Sequence, residues 1–161
     1  MKAIVCMNEH NGIGFKGGIP WKSLAYKNFV RKQVLGNGNN AVVIGRKAFK
    51  TMNYQPIFGV RNYILSRDPN IFSKVSGDVI VESNEENILF LNFIFEDVYV
   101  IGGSEIFSLL SPFIDTIHLF LIHNKNACDR FFPISLSEYH ISEEKKVQEI
   151  YHSLTYYKYL K

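Results

Sequence analysis

Short apolar runs punctuated by glycine-rich or polar segments set the rhythm of this chain. Residues 3–7 are uniformly apolar and open into residues 8–18, where Gly12, Gly14, Gly17 and Gly18 break any periodicity; the pattern predicts a buried strand followed by a loop. After Pro20 and Trp21, a helix is expected from about Ser23 to Leu35, with Ser23 as its cap, Tyr26, Phe29, Val30 and Val34 on one apolar face, and residues 36–40 as its terminator. Residues 41–44 read as a strand running straight into Gly45, Arg46 and Lys47 and a short helical stretch to Met52. Residues 62–65 form another strand, closed by Ser66, Arg67, Asp68 and Pro69, and residues 78–81 a further short one. Ser83 with Glu86 three residues later is a capping-box pattern, so a helix is expected over residues 84–92. Residues 98–101 read as a fully buried strand before Gly102, Gly103 and a helix over residues 104–110; residues 116–122 are strand-like. The tail, residues 145–150 and 154–160, alternates as an antiparallel hairpin around His152 and Ser153. Strands alternating with helices predict an α/β sheet with parallel central strands, helices on both faces and an antiparallel edge.

A chain of 161 residues with 47% hydrophobic and 20% charged residues fits one globular domain over residues 1–161. Its longest apolar stretch, residues 88–95, is interrupted by Asn92 and falls far short of the roughly 18 to 20 residues of a membrane helix. Residues 1–7 lack a secretory pattern, and Cys6 and Cys128 do not make a disulfide framework; a cytoplasmic protein with reduced thiols, monomeric and without a metal, is expected. The net charge of +3 conceals an asymmetry: residues 1–67 carry 11 Lys/Arg against the single acid Glu9, whereas residues 68–161 carry 7 against 14 acids. A cationic half suits nucleic acid or a phosphorylated small molecule. The cations are scattered over strand ends and lack interleaved aromatics, which argues against nucleic acid.

Ligands of open α/β sheets bind beyond the carboxyl ends of the strands. Gly45, Arg46 and Lys47 follow one strand at a helix start, where free N–H groups, the helix dipole and two cations favour an anion. Gly102 and Gly103 follow another and allow close approach of backbone to a pyrophosphate. Ser66 and Arg67 follow a third and suit a phosphate monoester. Three such ends on one sheet favour a dinucleotide.

Taken in order, several blocks resemble the dihydrofolate reductase family: Ile13-Gly14 and Ile19-Pro20-Trp21; Val43-Ile44-Gly45-Arg46; Asn62-Tyr63-Ile64-Leu65-Ser66-Arg67; Val100-Ile101-Gly102-Gly103-Ser104-Glu105-Ile106-Phe107; and Asp129-Arg130-Phe131-Phe132-Pro133. The resemblance spans nearly the whole chain. It implies an eight-stranded, mainly parallel sheet with about four helices, and reduction of the N5 to C6 imine of dihydrofolate or a related pterin by hydride from NADPH. By the same resemblance Cys6, Ile13 and Gly14 lie at the nicotinamide, with Trp21 against the active-site water. Gly45, Arg46 and Lys47 meet the pyrophosphate and adenine side, and Ser66 and Arg67 take the 2′-phosphate. Gly102, Gly103, Ser104 and Phe107 complete the cofactor site, while Ile4, Val5, Val30, Met52, Ile57, Ile101 and Ile122 line the substrate.

The pattern is broken where the family binds the pterin. Its helix after Pro-Trp carries an Asp or Glu for the pterin 2-amino group and N3, but no acid occurs in residues 10–67. Spacing from Trp21 puts Tyr26 or Lys27 at that position; the apolar face favours Tyr26 inward and Lys27 at the rim. Antifolates that rely on a protonated diaminopyrimidine ring are therefore expected to bind poorly; tight binding would require a backbone carbonyl, or an acid from beyond Arg67 such as Glu105 or Asp115, to reach the ring. Val60 stands where the family has the Arg that clamps the substrate's α-carboxylate, and Arg61, one residue late, faces the other side of a strand. Ile122 is read at the position of the Thr that supports the acid, and Ala48 where a phosphate-contacting Thr is common. The expected activity is therefore a reductase with weakened or altered substrate use; the alternative is an NADPH-binding homologue with a regulatory or structural role.

Overall fold

A computed structural model describes residues 1–74 and 78–161. Eight strands form the main sheet: β1 (Lys2–Asn8), β3 (Asn40–Gly45), β4 (Arg61–Leu65), β5 (Val79–Glu82), β6 (Asp97–Val100), β7 (Thr116–Ile122), β9 (His140–Gln148) and β10 (Ser153–Leu160). Their order across it is β5-β4-β3-β6-β1-β7-β10-β9. A separate two-stranded ribbon is made by β2 (Gly12–Gly14) and β8 (Arg130–Phe131). The pairs from β5 to β7 are parallel, and β10 runs antiparallel to both β7 and β9. The helices are α1 (Leu24–Leu35), α2 (Arg46–Thr51), α3 (Glu85–Leu89) and α4 (Ser104–Leu110). Among the described residues this is the expected mainly parallel sheet with about four helices and an antiparallel C-terminal hairpin.

Alternation along the central strands builds two cores. Ile4 of β1 with Val42 and Ile44 of β3 packs beneath Val30 and Val34 of α1 and Phe49 of α2. Ala3 and Val5 of β1 with Val43 of β3 face the other way, onto Ile88 of α3 and Ile106, Phe107 and Leu110 of α4. Every residue of β3 is buried, which is why the central strands read as continuous apolar runs and not as half-polar ones.

Several expectations change in detail. Residues 8–18 are not all loop: Gly12 and Gly14 pair with Phe131 and Arg130, and Asn8 Oδ1 accepts from the N–H groups of His10 (3.0 Å) and Gly12 (2.8 Å). A three-residue strand carries too little pattern to be seen. Asn84, not Ser83, caps α3, accepting from Glu86 N–H at 3.0 Å, and the helix passes into a 3-10 turn over Phe90–Phe93. The strand expected over residues 78–81 is shifted by one residue to Val79–Glu82. The first tail strand begins at His140 instead of residue 145, because it is a mostly exposed edge whose charged residues conceal its alternation.

Behind α1, His118 of β7 is buried at 5% exposure, and its Nδ1 lies 2.9 Å from the Tyr156 hydroxyl. Burial, aided by Lys158 and Lys2 against Glu143 and Asp97, pushes its pKa from an ordinary 6.5 down to about 4. It is neutral in the folded chain while the unfolded chain takes up a proton below pH 6.5, so stability present above pH 6.5 is lost as the pH falls toward 4. A full shift of this size corresponds to about 3 kcal/mol. Urea unfolding between pH 7 and 4 is expected to show a loss of this order, smaller in His118→Gln; equal slopes in the two proteins would remove His118 as its cause.

Candidate active site

The carboxyl ends of β3, β4 and β6 converge on one rim. Gly45 N–H donates to Gly102 O at 2.7 Å, joining the end of β3 to the turn after β6. Gly45 precedes α2 and Gly103 precedes α4, and neither helix start has a side-chain cap. A Cβ on Gly45 would lie 2.6 Å from Ile106 Cγ1, and one on Gly102, at φ +105°, would lie 3.0 Å from Phe107 Cε2; around Gly103 nothing comes within 4 Å. The backbone at Gly103 therefore faces open space ahead of an uncapped helix start, a surface suited to a flat, phosphorylated ligand.

Cations ring this rim. Arg46 pairs with Asp68 at 3.5 Å, and Asp68 N–H donates to Ser66 Oγ at 3.1 Å, so Arg46 and the Ser66-Arg67 turn share one corner. Arg67 is exposed. Lys47 holds Glu105 at 2.6 Å, and this pairing keeps the Glu105 carboxyl below the usual carboxylate range. The Ser104 hydroxyl donates to Phe131 O at 2.6 Å, so Ser104 ties α4 to β8 instead of offering its hydroxyl to a ligand. Phe107 is likewise a core residue, buried against Phe132 with ring centroids 5.1 Å apart; it supports Gly102 from behind.

Across the β1 end lies a second, aromatic cluster. Cys6, Trp21, Phe120 and Ile122 are buried together, with Tyr26 and Phe29 packed against them. The Ser23 cap accepts from Tyr26 N–H at 3.1 Å and starts α1 so that Tyr26 turns inward. The Tyr26 ring meets Phe120 edge-on at 5.7 Å, and its hydroxyl donates to Ile4 O at 3.5 Å; Lys27 is exposed. Of the two possible registers, then, Tyr26 is the inward one. Burial holds the Tyr26 phenol proton well above its ordinary range, with the nearby Cys6 adding to the effect. The Cys6 thiol is pushed up to about 12 by burial, which outweighs a hydrogen bond from Trp21 and is reinforced by the charge of Glu149. Neither group ionises near neutral pH, so the cluster is an uncharged wall.

Ile4, Val30, Met52, Ile57 and Ile101 share the α1-face core or its edge, and Ile13 packs from β2 against the other. Two assignments move. The Val5 side chain belongs to the opposite core, because neighbours on a strand alternate faces. Phe120, two residues before Ile122 on the same face of β7, is the residue against Tyr26. Val60 is buried at the lip, where Asn62 Nδ2 donates to Val60 O (3.0 Å) and Ile57 O (2.9 Å) and its Oδ1 accepts from Ile57 N–H (2.9 Å). Arg61 is exposed and turned to Asp78 at 3.8 Å. Glu105 is held by Lys47, and Asp115 pairs with the N-terminal amine at 3.0 Å, so neither reaches the aromatic cluster. Glu149, whose Oε1 accepts from Ala25 N–H at 2.6 Å, carried no sequence signal, since it sits in a hairpin turn more than a hundred residues from α1.

A family model described as dihydrofolate reductase matches residues 1–161. The chain is 27% identical to dihydrofolate reductase of Staphylococcus haemolyticus over 96% of this chain and 90% of the relative. It is 30% identical to dihydrofolate reductase type 6 of Proteus mirabilis, over 81% of this chain and 79% of the relative. A solved structure, dihydrofolate reductase from Enterococcus faecalis complexed with NADP(H) and RAB-propyl, superposes with a TM-score of 0.84 at 25% identity, covering 99% of this chain and 94% of that one.

Proposed function

Because the chain belongs to the dihydrofolate reductase family, we propose that it is an NADPH-dependent reductase of a pterin-like C=N bond, working as a single domain on a small-molecule substrate, with its use of dihydrofolate weakened or altered. The observation that carries this reading is the glycine cradle, in which Gly45 N–H is bonded to Gly102 O and Gly103 faces open space beside two uncapped helix starts. The residues present fit the cofactor: Gly45, Gly102 and Gly103 would pass its pyrophosphate close to backbone donors, Arg46 and Lys47 would flank it, and Ser66 with Arg67 would hold a 2′-phosphate. Cys6, Ile13 and Trp21 would bound the nicotinamide end. Bound there, NADPH supplies the hydride.

What the chain itself contributes is orientation and exclusion of water. The neutral wall of Cys6, Trp21, Tyr26 and Phe120 gives a planar ring an apolar stacking surface, and Ile4 O offers an acceptor, now taken up by the Tyr26 hydroxyl. The change in substrate use is argued from Tyr26 and Val60. The first sets a phenol where the family places an acid, and the second leaves no guanidinium for a glutamyl carboxylate.

NADPH is expected to bind more tightly than NADH, because charge-assisted bonds to a phosphate contribute about 1.5 to 3 kcal/mol, or about ten- to a hundredfold in affinity. Fluorescence titration of both cofactors against the protein and Arg67→Asp checks this. Equal affinities in the unaltered protein would remove the Ser66-Arg67 turn from the cofactor site.

A further inference from the structure

On the flank of α1 turned toward the C-terminal hairpin, the fold leaves a groove that neither the cofactor nor the substrate accounts for. It runs between α1 and the edge strand β9 and has a volume of about 340 Å³, inside the roughly 300 to 1,000 Å³ of small-molecule sites. Its floor is aromatic. Phe29 of α1, Phe120 of β7 and Tyr156 of β10 all line it, with ring centroids 5.0 Å apart for Phe29 and Phe120, 5.1 Å for Phe29 and Tyr156, and 5.1 Å for Phe120 and Tyr156. The Tyr156 hydroxyl is engaged with His118 Nδ1 at 2.9 Å, so the polar atom of this floor is already satisfied. Val147 of β9 adds an aliphatic wall. The rim is charged: Lys145 and Glu143 pair with one another on β9, whereas Lys32 on α1 makes no ion pair among the described residues, and no acid lies within residues 10–67 to give it one along the helix. An apolar, aromatic floor thus lies under one uncompensated positive charge.

We propose that this groove is a second ligand site of the protein, taking a planar aromatic carboxylate, and that it communicates with the Tyr26 cluster through Phe120. A flat ring entering between Phe29 and Val147 meets the aromatic floor, while its carboxylate pairs with the Lys32 ammonium in the last turn of α1. The charges select a monoanion, since a second negative charge would face Glu143 and an uncharged ring would leave Lys32 unused. Phe120 carries the communication because it is the ring common to both sides: it touches Phe29 and Tyr156 at the groove and meets Tyr26 edge-on at 5.7 Å, within the cluster that holds Cys6 and Trp21. Close-packed rings do not shift singly, so a ligand that displaces the floor is felt at that cluster, and by reciprocity a ligand at the cluster is felt in the groove. Apart from Phe120, no residue assigned to cofactor or substrate lines the groove, so its occupant competes with neither.

The probe is 2-naphthoate, titrated calorimetrically into the full chain with 2-naphthamide as its uncharged counterpart. In parallel, NMR follows the indole N–H resonance of Trp21, the only tryptophan, which does not itself line the groove. Saturable single-site binding of naphthoate is expected, about fivefold tighter than naphthamide, the effect of one exposed ion pair, with the Trp21 resonance shifting along the same isotherm. Lys32→Gln should lower naphthoate to the affinity of naphthamide and leave naphthamide unchanged. Val147→Phe, which fills the groove from an edge strand, should abolish both ligands and the Trp21 shift, with NADPH affinity unchanged in either variant. The proposal falls if naphthoate does not bind saturably, if both variants bind it as the unaltered protein does, or if NADPH or dihydrofolate displaces it competitively, which would place it in the site already described. Naphthoate binding that leaves the Trp21 resonance unmoved would overturn the link through Phe120. Should Val147→Phe fail to fold, Lys32→Gln and the comparison with naphthamide decide alone.

Discussion

Gly102→Ala is expected to destabilise the protein by about 1 to 3 kcal/mol, the range for a non-glycine residue held in a sparsely populated backbone region, and to weaken NADPH at least tenfold. At φ +105° any L side chain is strained, and the new Cβ would stand 3.0 Å from the Phe107 ring, itself fixed against Phe132. Relief requires the turn after β6 to move, which would pull Gly102 O from its bond to Gly45 N–H and deform the rim. Gly103→Ala isolates the cofactor's share of this effect. Its φ of −84° is open to any residue and nothing lies within 4 Å of its Cβ, so its stability is expected within about 0.5 kcal/mol of the parent. The methyl would nonetheless occupy the space assigned to the pyrophosphate, and NADPH should weaken by about tenfold or more, the effect of a methyl overfilling a fitted contact. Urea denaturation and NADPH titration of the two variants decide the matter. Full NADPH affinity in Gly103→Ala would mean that the cradle is structural and the cofactor binds elsewhere.

The layered architecture was legible because the buried strands declare themselves as unbroken apolar runs and each is followed by a residue type with one job. Gly45 and Gly102 could be singled out since only glycine tolerates the contacts with Ile106 and Phe107. Tyr26 and Lys27 could be narrowed but not separated by spacing; the Ser23 cap, which fixes where α1 begins, decided between them. Phe120 was missed because period-two alternation gives the face of β7 and not the depth along it, so Phe120 and Ile122 are equivalent in pattern. Ser104 and Phe107 sit in the right block, but their side chains serve the fold. Glu149 was invisible for a different reason: its partner Ala25 is a backbone N–H, which any residue could offer, so nothing in either segment marks the contact.

At the other end of the site, Val60→Arg is expected to tighten dihydrofolate binding by about ten- to a hundredfold, as a charge-assisted clamp on the glutamyl α-carboxylate would contribute about 1.5 to 3 kcal/mol. The backbone of the lip is held by Asn62 bonding Ile57 and Val60, whereas the Val60 side chain belongs to the α1-face core, so the variant is also expected to lose stability. Val60 is only 6% exposed, so an arginine there has to displace core contacts for its methylenes to run along the apolar edge and its guanidinium to reach outward. The neighbouring Arg61 offers no substitute, since it is turned to Asp78 on the far side of β4, and Arg61→Ala should leave dihydrofolate affinity unchanged. The discriminating ligand is a dihydropterin without the glutamyl tail. Calorimetry in the presence of NADP⁺ should show Val60→Arg strengthening only the tailed compound, because the untailed one has no carboxylate to hold. An equal gain for both ligands would trace to a reshaped ring pocket, and no gain for either, in a variant that still binds the cofactor, would mean that the tail leaves the site by another route.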